Sequence, residues 1–269
     1  MKIGKVVVPR TAICTSTSEN IVVRGKELSR DLIGQVGFVD YFWLLVTGSS
    51  PSRAASAAVN ACMVAIAEHG MVPSVQAARM TLAAAPDAMQ GAVAAGLLGC
   101  GSVILGATET AARLFLEVEQ EAQAQHGGDL RAAAHSVITR LRAQKLPIAG
   151  YGHPEHKEGD PRVKALFDVA HREGVDLRYV ELARLIESVI PEVVGKELKL
   201  NVSAAIPALL LGVGLPLAAF KGVPMLARTA SLIAHLCEEQ ENPCGFALAY
   251  QAGKAVEYTG PALDSAAQG

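Results

Sequence analysis

Two stretches of this chain, residues 88–108 and 203–220, hold no charged side chain, while charge is concentrated between about 109 and 199. A segment that is apolar all round has to be covered by the rest of the protein. The pattern therefore predicts two deeply buried segments with a more solvated part set between them. Composition decides what kind of segment. Half of the residues are hydrophobic (51%) but only 4% are aromatic, and alanine and leucine carry much of the apolar load. Those two favour helices, whereas strands draw on β-branched and aromatic residues. A mainly α chain follows, and 269 residues suffice for one large domain or two unequal ones.

The same features exclude several classes. Residues 88–108 could reach across a bilayer by length. They are rich in alanine and glycine, and Asp87 and Glu109 flank them where Lys or Arg would be expected, so a core helix rather than a membrane span is expected. The second run contains Pro207, Gly212, Gly214 and Pro216, which suits buried helices meeting at a turn. A net charge of −2 gives no reason to expect nucleic acid as a partner. The five cysteines, Cys14, Cys62, Cys100, Cys237 and Cys244, are scattered and form no C-x-x-C pair. No metal site is expected from them, and reduced thiols point to a cytoplasmic setting. The first residues show no signal-peptide pattern, since only three valines separate Lys5 from Pro9.

Short strands are expected at 3–8 and 20–24, where β-branched residues sit between turn residues. Helical periodicity and its stop signals predict helices over 39–46, 53–69, 74–85, 88–104, 108–125, 130–144, 161–173, 178–190, 203–213 and 223–240. The tail after about Thr259 is small and polar and is expected to fray.

The chemistry-bearing residues gather in one loop. Gly150-Tyr151-Gly152-His153-Pro154-Glu155-His156-Lys157-Glu158-Gly159-Asp160-Pro161-Arg162 places a histidine, an arginine and a lysine among glycines and prolines, which shape the backbone into neither helix nor strand. Pro154 restricts His153 to an extended backbone, so the ring can present one nitrogen consistently. His153 and His156 form an H-x-x-H pair, but with a proline inside it and no helix under it, a metal is not expected. Asp160 is a natural N-cap and Pro161 a natural first helical residue. Arg162 is then either a solvated side chain at a helix start or a guanidinium able to grip a carboxylate with two parallel hydrogen bonds. Arg228, alone on an otherwise apolar helix, needs an ion pair or a polar cleft. His69 is expected at a helix C-terminus, where a donor is favoured in any case. The glycines around Cys100 lack the strand before them and the G-K-S/T ending of a phosphate loop, so they are expected to allow close helix packing.

Read together, these segments resemble the citrate synthase family. Gly150 to Arg162 is similar to its G-x-G-H-x-x-Y/H-K-x-x-D-P-R signature. Ala67-Glu68-His69-Gly70 through Ala78-Arg79 resembles D-H-x-x-x-x-S-x-x-x-A-R, and Ala94-Ala95-Gly96-Leu97 resembles A-A-G-I. Asn201-Val202 resembles the start of N-V-D, Ala227-Arg228-Thr229 to Ala234-His235 resembles M-A-R-T-x-G-W-I-A-H, and Tyr258-Thr259-Gly260 resembles Y-x-G. The short length is most similar to the members usually called citryl-CoA lyase-like. The resemblance implies a multi-helical homodimer whose large domain (1–106 and 219–269) and inserted small domain (107–218) close over a cleft. It implies carboxylate-binding roles for His69, Arg162 and Arg228, and polarisation of the reacting carbonyl or hydroxyl by His153. Gly150, Tyr151, Gly152 and Lys157 would meet coenzyme A.

Two departures bear on the reaction. Where the synthases carry G-P-x-H, this chain reads Gly101-Ser102-Val103-Ile104, so isoleucine replaces the histidine that bonds the thioester oxygen. Where they carry N-V-D, Ser203 replaces the aspartate that removes the α-proton. The arginine that usually precedes Y-x-G is also absent, Lys254 being the nearest base. A general base contributes roughly 10²–10⁴-fold and one oxyanion donor roughly 10²–10³-fold, so ordinary citrate synthesis is not expected. The resemblance implies instead a citryl-CoA lyase-like enzyme that cleaves or forms a C–C bond in a 3-hydroxy-acyl-CoA, with His153 and Ser203 as catalytic candidates and an acyl-CoA plus a small carboxylic acid as ligands. The alternatives are a non-enzymatic relative that binds acyl-CoA or carboxylates, and, less favoured, a thioester hydrolase.

Overall fold

The computed structural model describes residues 8–101, 105–152 and 159–261. A small antiparallel sheet opens it, formed by β1 (Cys14–Ser16), β2 (Ile21–Val23) and β3 (Lys26–Glu27), with Val22 opposite both Thr15 and Glu27. The helices follow in order: α1 (Phe38–Thr47), α2 (Arg53–Ala67), α3 (Pro73–Ala84), α4 (Met89–Leu98), α5 (Ala107–Gln125), α6 (Leu130–Ala143), α7 (Pro161–Glu173), α8 (Arg178–Val194), α9 (Val202–Gly212), α10 (Gly222–Glu241) and α11 (Gly245–Lys254). The mainly α expectation holds. The strand expected at 20–24 is β2, and residues 3–7 of the other expected strand lie outside the described residues. Periodicity missed β1 and β3, which are too short to show one, and α11, which buries only Gly245 and so shows no apolar stripe.

The two uncharged runs behave differently. α9 is buried along nearly its whole length, from Val202 through Leu210 with the exception of Ser203. It packs against α2, α5, α7 and α8, so every face needs an apolar side chain. It runs through Pro207, in keeping with the helix expected over 203–213; the missing N–H leaves the Ser203 carbonyl without its i+4 donor. The other run is not the long buried helix its lack of charge predicts. α4 stops at Leu98, buries only Ala92 and Gly96, and leaves Leu98 87% exposed. Its small residues serve close approach instead. A Cβ on Gly96 would lie 2.8 Å from the Leu232 side chain and 2.9 Å from the Ser74 carbonyl oxygen. Residues 102–104 fall outside the described residues.

The chain groups into two compact units. One comprises Met1–Ala67 with Ser102–Ala227, and the other Glu68–Gly101 with Arg228–Gly269. These groupings do not follow the 1–106, 107–218 and 219–269 division that the family resemblance implies. In the first unit α9 is the hub: α5 and α8 pack on it and on α6, and α2 and α7 pack on it and on each other. In the second, α3 packs on α4 and α11, and Val75, Ala78, Leu82, Ala92, Leu232 and Leu236 form the core. Arg79 is buried beneath that core's edge. Its Nε donates to Glu239 (2.6 Å), its Nη1 to Glu238 (2.8 Å) and its Nη2 to the Asn242 carbonyl (2.9 Å), and Glu239 also accepts from the N–H groups of Cys244 and Gly245. Every strong acceptor and donor in this buried group is matched, which is the condition under which burial of charge is tolerated. Leu217–Glu241 is long and apolar enough to cross a bilayer, yet Leu232 and Leu236 are fully buried in a protein core.

Candidate functional site

The conspicuous loop begins on a tightly pinned base. Gly150 has φ +90°, and a Cβ there would lie 2.5 Å from the Cβ of Ala204, so only glycine lets the chain pass over the start of α9. The Gly150 carbonyl accepts from the Asn201 N–H (2.9 Å), Gly152 donates to the Lys199 carbonyl (2.7 Å), and the Gly152 carbonyl accepts from Asn201 Nδ2 (2.6 Å). The Tyr151 side chain points into the protein, is 7% exposed, and donates its hydroxyl to the Ala183 carbonyl (2.9 Å). Burial pushes that phenol well above its ordinary value. These three expected coenzyme A contacts therefore hold the base of the loop to the rest of its unit. His153 and Lys157 lie outside the described residues, as do Ser102 and Ile104.

The far end of the loop is equally fixed. Asp160 caps α7 by accepting from the Arg162 N–H, and Pro161 takes the first helical position, as the sequence predicts. The Asp160 side chain is fully buried and does more than cap. Oδ1 accepts from Arg162 Nε (2.9 Å), and Oδ2 accepts from Arg162 Nη2 (2.8 Å) and from the Val202 N–H at the start of α9 (2.9 Å). Burial raises the Asp160 carboxyl, but Arg162 and the two N–H groups outweigh it and hold the group below its ordinary value. The fork of Arg162 is thus closed on the chain's own carboxylate. Its Nη1 edge faces the Ala65 carbonyl at 3.5 Å, and about a fifth of the side chain remains exposed. Two residues into α9, Ser203 donates its N–H to Oδ1 of the N-cap Asn201 (2.9 Å) and stays partly exposed on the first turn. Asp160 and Asn201 therefore bind Arg162 and the Ser203 turn into one assembly.

The second unit holds the other two candidates. Arg228, on α10, is 3% exposed, and its charge acts on the thiol of Cys100, which burial raises and Arg228 lowers, burial prevailing. His69 is half-buried in the turn after α2, and its N–H is donated to Glu68 Oε1 (2.9 Å). Glu68 also accepts from the Gly70 N–H (2.5 Å), from the Ser231 hydroxyl and from His235 Nε2 (3.0 Å). Sequence reasoning passed over Glu68, Ser231 and His235. The available signal was spacing: Ser231 and His235 lie three and seven residues after Arg228, on one face of a helix, and Glu68 directly precedes His69.

Among the described residues no group of three His, Cys, Asp or Glu side chains could hold a metal ion. An open depression of about 690 Å³ lies elsewhere in the first unit, lined by Asp40, Ser52, Arg53, Ser56, Asn60 and Glu173 among others. It contains none of the candidate residues. Two pairs lie within it, Ser56 with Asp40 (2.5 Å) and Arg53 with Glu173 (3.2 Å).

Comparison with known proteins gives the family of the chain. The family description "Citrate synthase, C-terminal domain" matches residues 10–245. Citrate synthase 2 of Bacillus subtilis is 25% identical over 210 residues, covering 77% of this chain and 53% of that protein, so the chain spans about half the length of the curated relative. The citryl-CoA lyase structure from Hydrogenobacter thermophilus superimposes with a TM-score of 0.83 at 30% identity, covering 96% of this chain and 97% of that one. The ATP citrate lyase structure from Methanothrix soehngenii, in complex with citrate and coenzyme A, has a TM-score of 0.75 at 23% identity and covers 97% of this chain but 43% of that one. With its helical fold, its pinned G-x-G loop and its D-P-R helix start, the chain belongs to the citrate synthase family.

Proposed function

We propose that this protein is a citryl-CoA lyase-like enzyme acting on a 3-hydroxy-acyl-CoA such as citryl-CoA. One observation carries the reading: the structural match to a citryl-CoA lyase runs end to end on both chains, whereas the curated synthase is matched over only 53% of its length. In the cleavage direction His153 accepts the proton of the substrate hydroxyl. The C–C bond between the hydroxyl carbon and the carbon next to the thioester carbonyl then breaks, its electron pair forming the enolate of acetyl-CoA while the hydroxyl carbon becomes the carbonyl of the released acid. Protonation of the enolate carbon completes acetyl-CoA. This direction removes an O–H proton and no C–H proton, so it survives the presence of Ser203 where a synthase has aspartate. His69, Arg228 and the Nη1 edge of Arg162 are the groups we assign to substrate carboxylates, and Gly150, Tyr151, Gly152 and Lys157 to coenzyme A, the first three meeting it through backbone groups because the Tyr151 hydroxyl is bonded to Ala183. We also propose that the protein is a cytoplasmic homodimer with 107–218 as the family-like inserted domain.

A second reading is favoured by a specific observation. The Arg162 fork is closed on Asp160, and the catalytic histidine and aspartate positions hold Ile104 and Ser203, which fits a relative that binds acyl-CoA or carboxylates without turning them over. Purified protein supplied with citryl-CoA separates the two. Release of oxaloacetate, followed by its reduction in a coupled assay, should be seen for wild type and fall by roughly 10²–10⁴-fold in His153→Ala. Binding of CoA esters with no turnover of citryl-CoA or related esters establishes the second reading instead.

A further inference from the structure

The Glu68 carboxylate collects four hydrogen bonds from two separate segments. Oε1 accepts the N–H groups of His69 (2.9 Å) and Gly70 (2.5 Å), and Oε2 accepts Ser231 Oγ and His235 Nε2 (3.0 Å). One carboxylate can take about four such bonds, so Glu68 is at its capacity. The bonds are charge-assisted and fall in two sets: one oxygen holds the turn that carries His69, the other holds α10. Burial raises the Glu68 carboxyl, but Ser231, His235 and the Gly70 N–H outweigh it and hold the group ionised and accepting. On α10, Arg228, Ser231 and His235 follow at i, i+3 and i+7, one stripe of the helix. The network goes further: His235 Nδ1 lies 3.9 Å from Glu238, whose other partner is the buried Arg79 of α3. The Glu68 side chain that gathers these donors is itself half exposed.

We propose that Glu68 is a positioning residue for substrate carboxylates: it ties the turn presenting His69 to the stripe of α10 presenting Arg228, and so fixes the separation of the two anchors. This rests on the assignment of His69 and Arg228 to carboxylate binding made above. A carboxylic acid held at two points is sensitive to that separation, since misplacement of about 1 Å can cost roughly 10²-fold. Loss of Glu68 therefore weakens a small oxo-dicarboxylate and leaves the CoA moiety, bound through another segment, unaffected.

The test measures dissociation constants for oxaloacetate and, separately, for CoA, on the full chain by titration calorimetry. Glu68→Gln keeps the size but replaces one accepting oxygen with a donor, so it meets Ser231 and His235 with the wrong polarity. Oxaloacetate affinity should fall at least about 10-fold while CoA affinity stays within about two-fold. Ser231→Ala should reproduce part of the loss. His235→Gln, whose amide can donate in place of Nε2–H, should retain affinity that His235→Leu loses. Amide exchange at His69 and Gly70 should accelerate in Glu68→Gln. Oxaloacetate binding at wild-type strength in Glu68→Gln overturns the positioning role and leaves the proposed function standing, and so does an equal loss for both ligands. If Glu68→Gln does not fold, Ser231→Ala and the His235 pair decide by the same criterion. If wild type binds CoA but no oxaloacetate or citrate, the assignment of the anchors falls, and the positioning role with it.

Discussion

Asp160 shows how much a single side chain can do beyond its sequence-level role. Its place before Pro161 predicts a helix cap, and it is one, but its second oxygen also reaches Val202 across more than forty residues of chain, a bond no local pattern announces. Removing one partner of a buried pair costs about 3–5 kcal/mol. Asp160→Ala should sit near about 3 kcal/mol, at the low end of that range, because Arg162 keeps water on a fifth of its surface; urea unfolding monitored by circular dichroism reads it. The carboxyl is held below its ordinary 3.8 in the folded state. Its contribution is therefore fully present above that unfolded value and is lost as pH falls through the lower folded one. Wild type should lose stability below about pH 4 more steeply than Asp160→Asn, compared by unfolding midpoints from pH 7 to 3. Gly150→Ala should cost about 1–3 kcal/mol, since it places a Cβ 2.5 Å from Ala204 at a φ of +90°. A thermal melt showing no loss would contradict that packing.

At the scale of elements, absence of charge turned out to have two meanings. α9 lacks charge because helices surround it, and its proline is absorbed because its neighbours hold it in place. α4 lacks charge because glycine and alanine let α3 and α10 come close, while much of the helix still faces water. Two substitutions on α4 should therefore have opposite signs. Gly96→Ala meets Leu232 and the Ser74 carbonyl inside 3 Å and should destabilise by about 1–3 kcal/mol. Gly91→Ala, exposed and with its nearest neighbour 3.8 Å away, should stabilise by about 0.5–1 kcal/mol through helix propensity. Denaturant midpoints of the two variants check the pair, and the same sign for both would refute this account of α4.

For the whole molecule, the departure at Ser203 is the feature on which the proposed preference for cleavage rests. Ser203 sits on the first turn of α9, anchored through its N–H to Asn201, so the position itself is ordered and only the side chain differs from the synthase pattern. Ser203→Asp should supply a base there and speed removal of the α-protons of acetyl-CoA, by up to roughly 10²-fold at the lower range for a positioned base. Hydrogen–deuterium exchange at the acetyl methyl group, followed by NMR, measures this without requiring net synthesis. Unchanged exchange would mean that the Ser203 position does not face the acyl group.

Most of the helices, the cap at Asp160 and the family membership were legible in the sequence, because helix periodicity, capping chemistry and short motifs are local properties of the chain. The candidate residues were legible as a set of types and positions for the same reason. What the sequence could not decide is which of those residues are already engaged. That Arg162 grips Asp160, that Tyr151 turns inward to Ala183, and that Glu68 gathers Ser231 and His235 all depend on segments far apart in the chain arriving at one place. Hydrogen bonds between such segments leave no period and no spacing to read. Only the tertiary structure decided them, because they rest on residues that are neighbours in space and distant along the chain.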